Sequence, residues 1–463
     1  MNQPQAAAGR DALHAVATRK AVMYLLPLLC LAYFMAFVDR TNVGLAKSQL
    51  EADVGIGAAA YGLGAGIFFL SYAFLEVPSN LIMHRVGPRA WITRIAITWG
   101  ALTAAMALVQ GEVSFYVIRF LLGAAEAGLF PALMYIITVW FAQRHRATMV
   151  GLLYMAVCLG LALGGPLGGA LMEMAGTGGL RGWQWMFLIE GGFTVLVGLA
   201  VFKWLPDKPS DARWLTPQEA AVLEEQATVP SAPAHTTLRG NARVAFGRPF
   251  ILALAIVYFA NQIASVAIQY NFPSIVESVD ITRPFLVGLV SGSVGIGALL
   301  GVIVIPAIQR RVRNEVLVIT WCSIGTAATA VAYVLVTAPV ARILLIDLAM
   351  FFLIGILPIY WSVAQGRMQG LMAAAGLAFI NTIGLLGGFV GPYLYGWVEG
   401  ASGAGMSAWI VLVGSSILGV ALIPLLHRTV RAEDRAAQSR LKAEEAGEAE
   451  KTGPTGPTVE NGI

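Results

Sequence analysis

Among the few charged residues inside long apolar runs, Asp39 and Arg40 are adjacent, and Arg119 precedes Glu126 by seven residues. A charge deep in a bilayer costs ~2.5 kcal/mol or more, so residues of this kind face a cavity and pair with one another. Seven residues is close to two helical turns, roughly 10 Å along the axis, which puts Arg119 and Glu126 on one face. A guanidinium fork binds a carboxylate through two parallel hydrogen bonds, so Arg40 and Arg119 are candidate anion ligands. Burial favours the neutral form of a carboxyl group, whereas a neighbouring arginine favours the carboxylate. Access and pairing then decide whether a proton is held, which makes Asp39 and Glu126 candidate proton carriers. The plainer alternative for Asp39 is a permanent pair with Arg119 or Arg40 that only joins two helices. Glu126, near mid-depth, fits that alternative less well.

Other polar residues within apolar runs could complete a pocket: Tyr72, Asn261, Gln262, Tyr360 and Asn381. An interhelical hydrogen bond is the competing role for each. Glu76 and Arg94 fall nearer one end of their runs, where a structural ion pair or snorkelling is expected. Trp183, Trp185, Trp204 and Trp397 stand near run ends and are expected as interface anchors.

The elements that must hold these residues are membrane helices. With 57% of residues hydrophobic and 12% charged, the chain has too much apolar surface for a water-soluble core to hide. Apolar runs cover about 21–46, 58–83, 90–109, 113–139, 147–173, 184–205, 249–276, 285–309, 315–337, 340–363, 371–398 and 405–427. The fold class is therefore an all-α polytopic membrane protein with twelve transmembrane helices. Polar residues reach Lys20 before the first run, unlike a signal peptide, so that run should be retained. Cys30, Cys158 and Cys322 lie in apolar runs and are expected to be packing residues.

The widest break divides the runs six and six. The implied organisation is a cytoplasmic tail (1–20), a six-helix bundle (21–205), a linker (206–248), a second six-helix bundle (249–427) and a cytoplasmic disordered tail (428–463). Within the linker, Thr216-Pro217-Gln218-Glu219 is a capping box with proline at the first helical position, which predicts a short amphipathic helix toward Gln226. Basic residues cluster at one set of breaks: Arg10, Arg19 and Lys20; Arg85 and Arg89; Arg144 and Arg146; Arg310, Arg311 and Arg313; and Arg367. Lys47, Arg181, Arg283 and Arg342 fall at the other set. This asymmetry predicts that both termini are cytoplasmic.

The halves look pseudo-symmetric: Gly165-Pro166 has a counterpart in Gly391-Pro392, and the basic turn after the second run has one in Arg310 to Arg313. Gly160, Gly164 and Gly168 recur every four residues, and Gly384, Gly388 and Gly391 nearly so, a spacing for close helix contact.

The turn Arg85-Val86-Gly87-Pro88-Arg89 resembles the loop 2–3 signature of the major facilitator superfamily, with His84 where that signature has an acidic residue. A longer set of strings resembles the anion:cation symporter branch. These are Asp39-Arg40-Thr41-Asn42, Glu76-Val77-Pro78-Ser79-Asn80, Arg119-Phe120-Leu121-Leu122-Gly123 leading to Glu126-Ala127-Gly128, Gly182-Trp183-Gln184-Trp185, Asp211-Ala212-Arg213-Trp214-Leu215 and Gly387-Gly388-Phe389-Val390-Gly391-Pro392. The resemblance implies a bacterial inner-membrane transporter, usually proton-driven, for carboxylates such as tartrate, phthalate, hydroxyphenylacetate or sugar acids. It also implies gating or structural roles for Arg85, Gly87, Arg89, Glu76 and Arg94, and substrate contact for Tyr72 and Asn381. Phe37 and Ala364-Gln365 depart from related members, which bears on the substrate rather than the fold.

No zinc-ligand spacing, nucleotide-binding glycine loop or nucleophile motif stands on a polar segment, so the sequence predicts neither an enzyme nor an ATP-driven pump. The implied partners are a small organic anion and the bilayer, with no nucleic acid. A monomer should suffice, with no cofactor beyond a proton as coupling ion. Anion exchange or efflux on the same scaffold is the rival reading, and a non-transporting sensor or scaffold is a further one.

Overall fold

Prolines and glycines mark where the helices begin. Pro88, Pro249, Pro284 and Pro339 each occupy a first helical position, where the missing N–H costs nothing. Gly87, just ahead of Pro88, takes a left-handed φ of 89° that a side chain would resist. The computed structural model describes residues 3–227, 247–368 and 370–451. Twelve of its helices are long and apolar enough to cross a bilayer: span 1 (Arg10–Leu45), span 2 (Ala58–Val86), span 3 (Pro88–Leu108), span 4 (Glu112–Trp140), span 5 (Gln143–Met172), span 6 (Gly182–Trp204), span 7 (Pro249–Glu277), span 8 (Pro284–Val312), span 9 (Glu315–Leu335), span 10 (Pro339–Gly366), span 11 (Gly376–Ser402) and span 12 (Ala404–Ala436). Leu163, Leu167, Phe193, Leu196, Leu300 and Ile303 lie exposed on their outer faces, as helices solvated by lipid require.

The two chain ends depart from expectation. The first helix begins at Gln3, so the described part of the 1–20 tail is helical and continuous with span 1. The last helix runs from Ile423 to Lys451, so residues 428–451 continue span 12 rather than forming a disordered tail. Both segments are rich in alanine and long straight-chain residues; residues 3–20 carry proline only at Pro4, in the first turn, and residues 428–451 carry none. Residues 452–463, and 228–246 of the linker, lie outside the described residues. The linker helix Pro217–Gln226 forms with its capping box closed between Thr216 and Glu219. It docks on span 1, where Lys20 Nζ reaches Glu219 at 2.7 Å and Arg10 Nη2 reaches Glu225 at 2.5 Å. The Lys20 ammonium and the Thr216 amide hold the Glu219 carboxyl below its usual range.

Span 4 is not one helix. It breaks after Glu126, with Ala127 extended and Gly128 at φ 92°, before a second helix resumes at Leu129. The freed carbonyls are met by side chains: Ser79 Oγ donates to Ala127 O at 2.6 Å, Trp91 Nε1 donates to Ser79 Oγ at 2.9 Å, and Arg94 Nη1 reaches Ala125 O at 3.4 Å. Broken helices at membrane depth survive where protein groups satisfy the backbone in this way.

Glycine spacing sets the helix contacts. Gly160, Gly164 and Gly168 of span 5 lie against Phe37, Val38 and Asn42 of span 1, while Gly165 and Gly169 turn to Gly288 and Pro284 of span 8. The second half repeats the device: Gly391 meets Ile263 of span 7, and Gly396 meets Gly62 of span 2. The two halves therefore touch through matched seams, span 5 on span 8 and span 2 on span 11.

Candidate substrate and proton site

Consecutive residues on a helix point about 100° apart, and span 1 uses that angle to part its two charges. Arg40 turns to span 4, where Nη2 meets Glu126 Oε1 at 2.5 Å. Its guanidinium carbon also lies 4.7 Å from the Phe37 ring centre, 5.5 Å from Phe68 and 5.8 Å from Phe69, an aromatic cage that favours a cation. Asp39 turns to span 3, where Thr103 Oγ1 donates to Oδ1 at 2.6 Å. The permanent pair of Asp39 with Arg40 or Arg119 is thus not formed. One contact each leaves capacity over: Arg40 Nε, Glu126 Oε2 and Asp39 Oδ2 are buried without hydrogen-bond partners among the described residues.

Arg119 and Glu126 do share a helix face, but Arg119 turns Nε and Nη2 elsewhere and leaves Nη1 buried without a partner among the described residues. The side chain is fully buried, with Nε on Gly64 O at 3.2 Å, Nη2 on Ala65 O at 3.3 Å, and Nη2 also on the Tyr270 hydroxyl at 3.1 Å. It fastens span 4 to span 2 and reaches across to span 7. Asp39, Arg40, Arg119 and Glu126 still lie within one another's electrostatic reach, as their spacing predicts. Tyr72 is buried within reach of Arg40, Glu126 and Glu76.

The structural ion pair expected of Glu76 and Arg94 is absent among the described residues. Glu76 instead accepts from Asn381 Nδ2 at 2.8 and 3.1 Å, a bond between halves. Arg94 stacks 4.0 Å from the Trp91 ring and caps the span 4 break, so it serves the backbone rather than an acid. Asn261 and Tyr360 are not brought to Arg40. They line a separate pocket in the second half with Thr326 and Ser415, where Asn261 Nδ2 donates to Leu353 O at 3.2 Å and Tyr360 Oη to Leu254 O at 2.6 Å. Gln262 is half-buried beside Gly387. In the span 2–3 turn, Arg85 is exposed, while the Arg89 amide donates to Asp207 at 2.8 Å and its Nε to Phe202 O at 2.6 Å. Trp183, expected at the interface, is fully buried with Nε1 on Asp53 at 2.9 Å. Trp204 and Trp397 are exposed.

Four polar groups within the spans escaped the sequence reading: Tyr270, Thr103, Asp347 and Glu190. The first two are neutral residues in apolar runs and carry no signal of their own. Asp347 accepts from Ser293 at 2.8 Å, which explains its place within span 10. Glu190 bears the same mark as Glu126, a carboxylate inside an apolar run, and that mark could have found it.

Polar ties between the halves gather at the end opposite the linker. Lys47 Nζ lies 2.6 Å from Glu399 and 3.0 Å from Asn271, Ser48 donates to Glu277 at 2.9 Å, and Arg283 grips Glu173 at 2.7 Å. At the linker end, the ion pairs Arg248–Glu433, Arg367–Glu315 and Arg367–Asp434 stay within the second half. Among the described residues no ion pair joins the halves at the linker end, where the Glu76–Asn381 hydrogen bond is the lighter tie, so that side of the central seam is held less firmly than the far end.

Two pseudo-symmetric six-helix bundles enclosing a buried arginine–carboxylate pair define a secondary transporter rather than an enzyme. Residues 29–392 match the Major Facilitator Superfamily, and the chain belongs to that family. It is 36% identical over 425 residues to a "Putative tartrate transporter" of Agrobacterium vitis, covering 90% of this chain and 92% of that protein. A quinolone resistance transporter of Acinetobacter baumannii is 36% identical over 386 residues, covering 83% and 89%. The fold is also that of the xylose transporter XylE from E. coli in a partially occluded inward-open conformation, with a TM-score of 0.69, 13% identity, and 88% and 98% of the chains covered.

Proposed function

We propose that this chain takes up a small organic carboxylate across the bacterial inner membrane together with a proton, working as a monomer with both termini cytoplasmic and no cofactor beyond the coupling proton. The observation that carries this reading is the single contact between Arg40 Nη2 and Glu126 Oε1. It joins a cation with a donor to spare to an acid with an oxygen to spare, at the break of span 4.

The pair supplies a coupling rule. A substrate carboxylate and the Glu126 carboxylate compete for one guanidinium fork. When Glu126 Oε1 takes a proton, Arg40 loses its internal partner and its fork is free for the substrate. When the substrate leaves, Glu126 returns its proton to water and closes on Arg40 again. The proton and the anion thus enter and leave together, and alternating access requires the seam between halves to rock around the site. The aromatic cage keeps Arg40 oriented in both states. Arg119 holds the scaffold, and the Glu76–Asn381 bond links span 2 to the half that moves. The match to a relative named for tartrate supports a carboxylate, and the basic residues at the linker end support its cytoplasmic placement.

Uptake into proteoliposomes with a panel of carboxylates, with and without an imposed pH gradient, tests the reading. Gradient-driven accumulation abolished by a protonophore is the expected result. Accumulation that persists after full uncoupling, or export favoured under every gradient, contradicts it.

A further inference from the structure

The Arg40–Glu126 pair leaves one buried acid without a task. Glu190 lies eight residues into span 6, roughly 12 Å along the helix from Gly182. It is 6% exposed, and neither Oε1 nor Oε2 has a hydrogen-bond partner among the described residues. Span 3 packs tightly on this stretch: Gly191 lies against Gly100 and Ala104, and Gly100 against Thr194. Between those two contacts on span 3 sits Thr103, whose hydroxyl donates to Asp39 Oδ1. Asp39 itself is 3% exposed, and its Oδ2 is unpaired. Trp99 Nε1 comes near Asp39 without closing a hydrogen bond.

Spans 1, 3 and 5 pack on span 6. From these elements, Asp39 is the charged group that acts on Glu190. Arg40 is engaged by Glu126, and Arg119 by Gly64, Ala65 and Tyr270. Asp39 has Arg40 and Arg119 within electrostatic reach, but no cation among the described residues acts on Glu190, so in this buried seam Glu190 is the carboxyl group that is costly to charge beside Asp39. Each ion at that depth costs about 2.5–3.5 kcal/mol before their mutual repulsion is added. A purely structural seam would more readily carry two apolar side chains or a glutamine.

We infer that Asp39 and Glu190 form a second proton-binding pair in the seam of spans 1, 3 and 6, beside the Arg40–Glu126 pair but separate from it. The inference rests on the proton-coupled reading. Glu190 carries the proton on one carboxyl oxygen while the seam is dry, with the Asp39 carboxylate held by Thr103. When the seam admits water, the O–H bond breaks, the proton passes to water, and the charged carboxylate is solvated.

Glu190→Gln keeps the shape and the neutral charge but cannot release a proton. In proteoliposomes, the substrate accumulation sustained by a one-unit pH gradient should fall about tenfold, the loss of one coupled proton. Exchange of labelled for unlabelled substrate should fall far less. Glu190→Asp should restore part of the accumulation, because the ionisable group returns. Independently of transport, infrared difference spectra of the full chain between acid and alkaline buffer should show a protonated-carboxyl stretch that disappears in Glu190→Gln and shifts in Glu190→Asp. Wild-type accumulation by Glu190→Gln, or an infrared band unchanged by both substitutions, overturns the inference. If the wild-type protein accumulates no carboxylate under a pH gradient, the proposed function falls. The infrared band still decides whether Glu190 exchanges a proton.

Discussion

The first half of the molecule buries charge and the second buries neutral polarity. Asp39, Arg40, Glu76, Arg119, Glu126 and Glu190 all lie in spans 1, 2, 4 and 6, whereas the groups that meet them from the other half are the Tyr270 hydroxyl and the Asn381 amide. Asp347 is a half-buried acid of the second half, and Ser293 satisfies it. The difference teaches where coupling can reside. Charge that changes partner can carry a proton and an anion, while a hydroxyl or an amide can only fit, tether or release. The second half, on this account, shapes the site and moves against it.

The sharpest way to break that comparison is to remove the anion ligand. Arg40→Ala deletes a charge-assisted bond worth about 1.5–3 kcal/mol and leaves Glu126 buried without its cation, so substrate affinity measured in detergent should fall ~10- to 100-fold or vanish. Unchanged affinity would move the ligand site elsewhere. Arg40→Lys should recover only part of it, because an ammonium lacks the planar fork.

Next in size is Arg119→Ala. It strips Gly64 O, Ala65 O and the Tyr270 hydroxyl of their donor, so the protein should lose thermal stability and transport several-fold. Tyr270→Phe should lose transport with little loss of stability, since it removes only the bond between halves. A loss of substrate affinity in Arg119→Ala that Tyr270→Phe does not share would show that Arg119 is a ligand in its own right.

The smallest effect belongs to the second half's own pocket. Tyr360→Phe breaks one hydrogen bond to Leu254 O, about 1 kcal/mol of stability, and should leave the substrate Kd within about twofold. A tenfold change in Kd would bring that pocket into the substrate path and dissolve the division between halves.

Much of this arrangement was legible in the residues. Apolar length placed the spans to within a few residues except at the start of span 1 and the end of span 12, which polar helical residues extend, and the four-residue glycine spacing in span 5 marked the face that packs on span 1. The charge cluster was legible because a charged residue in an apolar run is conspicuous whatever surrounds it. Its wiring was not. Whether Arg40 meets Glu126 or Asp39 depends on how span 1 is rotated and on the break at Gly128, and both follow from tertiary packing rather than from local spacing. Tyr270 and Thr103 escaped for the same reason, since a hydroxyl announces nothing until a partner lies opposite. Glu190 was visible by type. The absence of any partner for it among the described residues emerged only once spans 3 and 6 were seen packed together.

The central claim is that a proton and a carboxylate compete at one pair, Arg40 and Glu126. Substrate Kd measured against pH, over a range in which the substrate stays ionised, tests it most directly in wild-type and Glu126→Gln proteins. The wild-type Kd should tighten as the pH falls, because a proton on Glu126 frees Arg40. In Glu126→Gln the Kd should already be tight and should lose most of that slope. A Glu126→Gln protein that keeps the wild-type dependence on pH would contradict the account.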